Sequence, residues 1–319
     1  MPNNRYRLKP DEELLLQNYR KHKTNNILVI GDIHEPFCLD GYLEFCLEEL
    51  LLQNYRKHKT NNIPVIDNKY NRSGIHIVSG CHHVPAHNKK LFNGFLDLCE
   101  DLRNDIVGFH LIGDFLDMAS ISRHSSGMKG HTTLTKEYNE GNKALDLIDS
   151  VLEDDVDKTY IWGNHEDWYN QYMSKIDNAK LGKGVIKSPT EALKLHERNY
   201  DVYEDWKEDK VTIGEHLDLI HGIYCNIHAA KKHIDTFRHS VMFAHTHRVQ
   251  TYIEGNVGGF NIGTMCDMNS QAFSYASRAM KAKWNNGFAI VHIDENGRYY
   301  VTQILAFEDT FYYNGKRYA

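Results

Sequence analysis

The chain has 319 residues, 41% of them hydrophobic and 25% charged, and a formal net charge of −6 with histidine neutral. That length holds one large domain or two ordinary ones around a sizeable core, and the acidic balance excludes a global basic field for nucleic acid, leaving only a local basic groove. The longest apolar runs fall far short of a membrane span, the polar amino terminus has no signal-peptide core, and six scattered cysteines (38, 46, 81, 99, 225 and 266) without CxxC spacing predict reduced thiols in a cytoplasmic setting.

Residues 12–27 recur letter for letter at 48–63. Structural repeats drift in sequence, so an identical copy reads as a recent duplication, and removing residues 28–63 leaves an uninterrupted chain. The piece looks like an insertion into a shorter parent. It carries an apolar strand, 27–30, running into Gly31, Asp32, Ile33 and His34. A helix with Leu43, Cys46, Leu47, Leu50, Leu51 and Tyr55 on one face follows. The same pattern returns in strand 75–79, Gly80, Cys81, His82 and His83, then a helix face of Leu91, Phe95, Leu98, Cys99 and Leu102. Asp32 aligns with Cys81 and His34 with His83. Two candidate first βα units compete for one sheet position.

Strand 106–112 then runs into Asp114 and Asp117, with a polar loop through Arg123 and His124 and a helix over about 135–153. Strand 159–162 leads to Gly163, Asn164 and His165. Residues 167–210 are charged and aromatic-rich, with a helix after Pro189, and read as a cap over the site rather than a separate domain. Strands 216–220 and 240–244 deliver His221 and the pair His245 and His247, with a helix over about 228–238 between them. The tail alternates short strands (249–253, 257–262, 287–293 and 299–305) with turns at Gly258-Gly259 and Asn296-Gly297. Strands alternating with helices, then strands alone, predict an α/β fold of two packed sheets with helices outside.

Several strands ending in metal-ligand residue types point to chemistry at the sheets' carboxyl ends. Two neighbouring ions need a bridging carboxylate, with nitrogen and oxygen ligands on either side. Asp114 suits the bridge, Asn164 offers an amide oxygen, and His221 and His245 offer imidazole nitrogens. His247 reaches the neighbouring ion, and Asp117 orients His165 through its ring N–H.

In Gly31-Asp32-Ile33-His34 (or its second version at 80–83), Gly113-Asp114 with Asp117, Gly163-Asn164-His165-Glu166, His221-Gly222 and Ala244-His245-Thr246-His247, the chain resembles the calcineurin-like metallophosphoesterases. Phage and bacterial members look most similar. The resemblance implies a four-layer α/β/β/α sandwich and two divalent ions (manganese, iron or zinc) whose bound hydroxide attacks phosphorus in line. It gives Asp114, Asn164, His221 and His245 to one ion, and the first-motif pair with His247 to the other. His165 assists the leaving oxygen. Where phosphoprotein phosphatases of this family carry Asp-Arg-Gly, this chain has Asp117-Met118-Ala119, so Arg123, His124 or Arg248 would have to grip the phosphate. Cys81 stands where the family has an aspartate; as a thiolate it favours zinc, and as a thiol it leaves one ion labile. Continuity of helix 91–102 into strand 106–112 favours Cys81 and His83 over Asp32 and His34. The expected activity is hydrolysis of phosphomono- or phosphodiesters. The alternatives are a catalytically silent scaffold that binds a protein partner and a nuclease on DNA or RNA, against which the charge balance stands.

Overall fold

A computed structural model of the chain describes residues 69–122, 132–175, 180 and 185–319. They belong to one compact unit, Asp67–Ala319. The repeat, the inserted strand and helix, Asp32, His34, Arg123 and His124 lie outside the described residues.

The first βα unit begins with β1 (Gly74–Ser79), five of whose six residues are buried. Helix α1 (Lys89–Asp101) follows, its first turn capped by the Asn88 side chain accepting from the Leu91 N–H at 3.2 Å. Leu91, Phe92, Phe95, Leu98 and Cys99 are buried along one face. At about 1.5–3 kcal/mol for each large apolar side chain removed from water, that stripe fixes the helix on the sheet. Next come β2 (Ile106–Ile112), α2 (Leu134–Ser150, capped by Thr133) and β3 (Asp157–Ile161). Strand β2 is a nearly continuous apolar run, as a buried parallel strand requires, whereas β3 is polar at Asp157 and Lys158 and buried only over its last three residues.

Residues 167–210 contain α3 (Trp168–Met173), α4 (Pro189–Ala192) and β4 (Tyr200–Tyr203). Here the expectation of a cap needs correction at its end. Strand β4 pairs in parallel with β3, from Lys158 opposite Tyr200 to Ile161 opposite Tyr203, and forms the edge of the main sheet. Then follow β5 (Val211–Ile213), β6 (Leu217–Leu219), α5 (Ala229–Phe237), β7 (Ser240–Phe243), β8 (Val249–Glu254) and β9 (Val257–Ile262). A one-turn helix α6 (Arg278–Lys281) precedes β10 (Asn286–Ile293), β11 (Tyr299–Ala306), and the hairpin β12 (Phe311–Tyr313) and β13 (Lys316–Tyr318).

The order in the larger sheet is β11-β10-β1-β2-β3-β4, and in the second β5-β6-β7-β9-β8. Strands β1 to β4 run parallel; β10 is antiparallel beside β1, and β11 is antiparallel beside β10 at the edge. In the second sheet β6, β7 and β9 run parallel between antiparallel edges. The result is a mixed α/β fold with several sheets. One apolar cluster joins α1 and α2 to the first sheet through Phe95, Phe109 and Leu145. A second contains residues of both sheets, including Val78, Ile112, Leu219 and Met242. A third packs α5 on the second sheet through Ala230 and Phe243.

Gly258 and Gly259 do not form the expected turn. They lie within β9, and a side chain at Gly259 would meet the Ala230 carbonyl at 2.4 Å, so glycine there serves close approach of α5. Among the described residues no helix is long and apolar enough to cross a membrane, and Cys81, Cys99, Cys225 and Cys266 are free thiols.

Candidate metal centre

The parallel strands β1, β2, β3, β6 and β7 deliver their carboxyl ends to one place, and every ligand-type residue there follows one of them. The loops are laced by main-chain bonds. The Cys81 N–H donates to the Gly113 carbonyl at 2.9 Å, the His83 N–H to the Asp114 carbonyl at 2.9 Å, and the Ala244 N–H to the His221 carbonyl at 3.1 Å. The backbone turns sharply to present the side chains: Cys81, His83, Asp114, His245 and His247 all have φ between 50° and 59°. Non-glycine residues in that region cost of order 1 kcal/mol or more each and gather at functional sites. Gly163 is required by proximity, since a Cβ there would stand 2.1 Å from Asp114 Oδ1.

At the centre is the Asp114 carboxylate. Its Oδ2 lies 3.3 Å from His221 Nε2, 3.9 Å from His83 Nε2 and 4.0 Å from His165 Nε2, and its Oδ1 accepts the His165 N–H at 2.9 Å. On one side, His221 Nε2 faces Asn164 Oδ1 at 3.1 Å and His245 Nδ1 at 3.1 Å. On the other, His83 Nε2 faces His247 Nε2 at 3.0 Å. Three groups have ligand atoms mutually within 4.8 Å: Cys81 with His83 and His247, Cys81 with Asp114 and His221, and His83 with Asp117 and His165. The nine residues Cys81, His83, Asp114, Asp117, Asn164, His165, His221, His245 and His247 thus form one connected cluster, all buried but Asn164 and His245.

The electrostatics suit a cation. Burial alone would raise the Asp114 carboxyl, but His221, His165 and His83 outweigh it and hold it well below the usual carboxylate range. Burial lowers His245 to about 3, with His221 adding to the effect. It drives His247 well below its ordinary value, helped by His83. His221 moves up, because Asp114 beside it exceeds the cost of burial. His245 and His247, held neutral close to an ionised carboxylate in a dry site, offer the lone pairs a divalent ion requires, and a cation there would do for Asp114 what a proton on His221 does alone. The His221 Nδ1–H donates to the Ile112 carbonyl at 2.9 Å, which leaves Nε2 with its lone pair toward Asp114. The donor set fits one or more divalent ions.

One placement differs from expectation. The His165 Nδ1–H goes to the main-chain carbonyl of Asp117 at 2.7 Å, whereas the Asp117 carboxylate is 3.6 Å from it and nearer, at 3.3 Å, to His83 Nδ1. Asp117 therefore steadies His165 through its backbone. Arg248, directly after His247, directs Nη1 to the Asn226 carbonyl at 3.4 Å, and its buried Nε has no hydrogen-bond partner among the described residues.

Supporting residues emerge to which the sequence reading gave no role. Glu166 is fully buried and accepts four hydrogen bonds: at Oε2 from the N–H of Asp114 (3.0 Å) and Gly163 (2.8 Å), at Oε1 from the Leu116 N–H (2.9 Å) and the Tyr160 hydroxyl (3.0 Å). It thereby clamps the loops after β2 and β3 together. Glu137 of α2, also buried, accepts the Ala119 N–H at 2.7 Å and the Ser120 hydroxyl and N–H. Trp168 stacks on His165 with centroids 4.0 Å apart, and Phe273 and Trp284 pack edge-on against His247. The only prior signal was Glu166 directly following His165.

No family model and no curated protein matches the chain. Solved structures of similar shape include a single-substitution form of Vps29 from Entamoeba histolytica, 12% identical over 76% of this chain and 97% of that one, TM-score 0.42. Vacuolar protein sorting 29 from Cryptosporidium parvum is 13% identical over 77% and 94%, TM-score 0.40. Wild-type Vps29 from Entamoeba histolytica complexed with zinc is 12% identical over 76% and 97%, TM-score 0.39. Likeness at this level assigns neither activity nor partner to this chain.

Proposed function

We propose that the protein is a metal-dependent hydrolase of phosphomonoesters or phosphodiesters, with two divalent ions held by the cluster on Asp114. The observation that carries it is the approach of three imidazole Nε2 atoms to one carboxylate oxygen, within 4.0 Å, at the carboxyl ends of parallel strands. The motif resemblance to calcineurin-like metallophosphoesterases, phage and bacterial ones included, supplies the substrate class. It also supplies the reading of the layers as a four-layer α/β/β/α sandwich. Asp114 would reach both ions; Asn164, His221 and His245 would hold one, and Cys81, His83 and His247 the other. Bound ions supply charge neutralisation at phosphorus and acidify a water. His165, locked at Nδ1 by the Asp117 carbonyl and backed by Trp168, keeps Nε2 free to carry a proton to the leaving oxygen. No arginine stands in the Asp117-Met118-Ala119 stretch, so the phosphate's charge would fall mainly to bound ions.

The test is hydrolysis of p-nitrophenyl phosphate and bis(p-nitrophenyl) phosphate by chelated and metal-loaded protein. Metal-dependent release of nitrophenolate, lost in His245→Ala, is expected. Metal uptake with neither ester cleaved would leave the fold as a silent scaffold for a partner and overturn the hydrolase reading.

A further inference from the structure

We propose that Cys81 is a metal ligand shared between the two ions, so that the centre selects zinc-like metals over manganese; this rests on the two-ion reading above. The shared position follows from the groups themselves. Sγ of Cys81 lies within 4.8 Å of the ring nitrogens of His83 and His247 on one side, and of the Asp114 carboxylate and His221 nitrogen on the other. Cys81 is thus common to the two groups that flank Asp114.

The ordinary role for a buried cysteine is to fill space, and Cys81 does contact the apolar cluster between the sheets. Three features separate it from that role. Its backbone sits at φ 50°, the conformation it shares with the ligand-type residues His83, Asp114, His245 and His247. Its main chain is fixed at both ends: the N–H to Gly113, and the carbonyl accepting from the Met265 N–H at 3.2 Å and the Thr264 hydroxyl at 2.7 Å. Its sulfur accepts the His245 N–H at 3.1 Å, which ties it to the loop after β7 that carries two further ligand-type residues. Cys99 and Cys266, equally buried, belong to none of the ligand groups.

A thiolate is a soft ligand that suits zinc and cobalt, whereas manganese prefers oxygen. On binding, the S–H bond breaks, the proton leaves to solvent, and the sulfur's electron pairs are shared with the ions. Asp114 and Cys81 then bridge side by side.

Cobalt titration of the chelated full-length protein tests this without reference to activity. The expected result is a sulfur-to-cobalt charge-transfer band in the near ultraviolet that grows through two equivalents of cobalt. It should be lost in Cys81→Asp and Cys81→Ser and kept in Cys266→Ser. In equimolar zinc and manganese, wild type should retain zinc and Cys81→Asp should shift toward manganese. Cobalt uptake without the band, or a band that survives both Cys81 variants, would overturn the assignment. A band complete at one equivalent while a second cobalt binds would overturn the sharing. If neither Cys81 variant folds, wild type still decides through the presence and stoichiometry of the band. Absence of any cobalt uptake would instead overturn the metal reading, and this inference with it.

Discussion

Replacing Glu166 by glutamine changes one atom in the clamp between the loops of Asp114 and Asn164, and its cost can be worked from the four donors. Each carboxylate oxygen accepts at least one main-chain N–H. Wherever the new amide group points, an N–H therefore faces an N–H. The less costly orientation puts the amide nitrogen at Oε1, where the Tyr160 hydroxyl can turn to accept and only the Leu116 N–H is orphaned. That orphan costs about 1–3 kcal/mol, and the remaining bonds lose their charge assistance, for a total of about 3–5 kcal/mol. Burial and the nearby Asp114 push the Glu166 carboxyl up while the Leu116 and Gly163 donors pull it back, and the ionised form is the one that satisfies all four. For a domain of this size the loss corresponds to roughly 6–20 °C in Tm. Because the clamp sets the Asp114 loop, zinc affinity should weaken about 10–100-fold as well. Calorimetry and competition with a chelating dye measure both. A Glu166→Gln variant that melts within about 1 °C of wild type and binds zinc unchanged would refute the reasoning.

Asn164→Ala or His221→Ala should release one ion and lower turnover by orders of magnitude with secondary structure intact by circular dichroism; full metal content in either would remove that residue from the ligand set. His165→Ala should keep both ions and lose about 10²–10⁴ in kcat, whereas loss of metal would make it a ligand. Gly163→Ala should displace the Asp114 carboxylate, since the added methyl would stand 2.1 Å from Oδ1; unchanged metal affinity would contradict that. Glu137 is pushed up to about 7 by burial, so the folded chain binds more protons than the unfolded one between about pH 4.5 and 7. Its contribution to stability, on the order of 3 kcal/mol, is present below that window and lost as pH rises through it. Glu137→Gln should flatten that part of the Tm-against-pH curve, and an unaltered slope would exclude Glu137 as its source.

Strands β2 and β6 to β11 were legible because buried parallel strands are unbroken apolar runs and the later strands are set off by turns. Helix α1 was legible because its apolar positions recur at helical spacing. The ligand residues were legible for the same reason, each standing just after such a run. Strand β4 was not: Tyr200-Asp201-Val202-Tyr203 is short, half polar, and becomes a strand only by pairing with β3. Gly258 and Gly259 read as a turn because glycine's use for close packing depends on a helix far away in sequence. The roles of Glu166 and Glu137 were missed for a physical reason too. A carboxylate is normally solvated, and only the tertiary fold brings it the N–H donors that make burial tolerable.

Elemental analysis of metal bound per chain, on wild type and Asp114→Ala after exposure to excess zinc and removal of free ion, tests the central claim most directly. About two ions per wild-type chain, with neither held firmly once Asp114 is gone, is the predicted result. A wild-type chain that retains no metal, or an Asp114→Ala chain that retains as much as wild type, would contradict it.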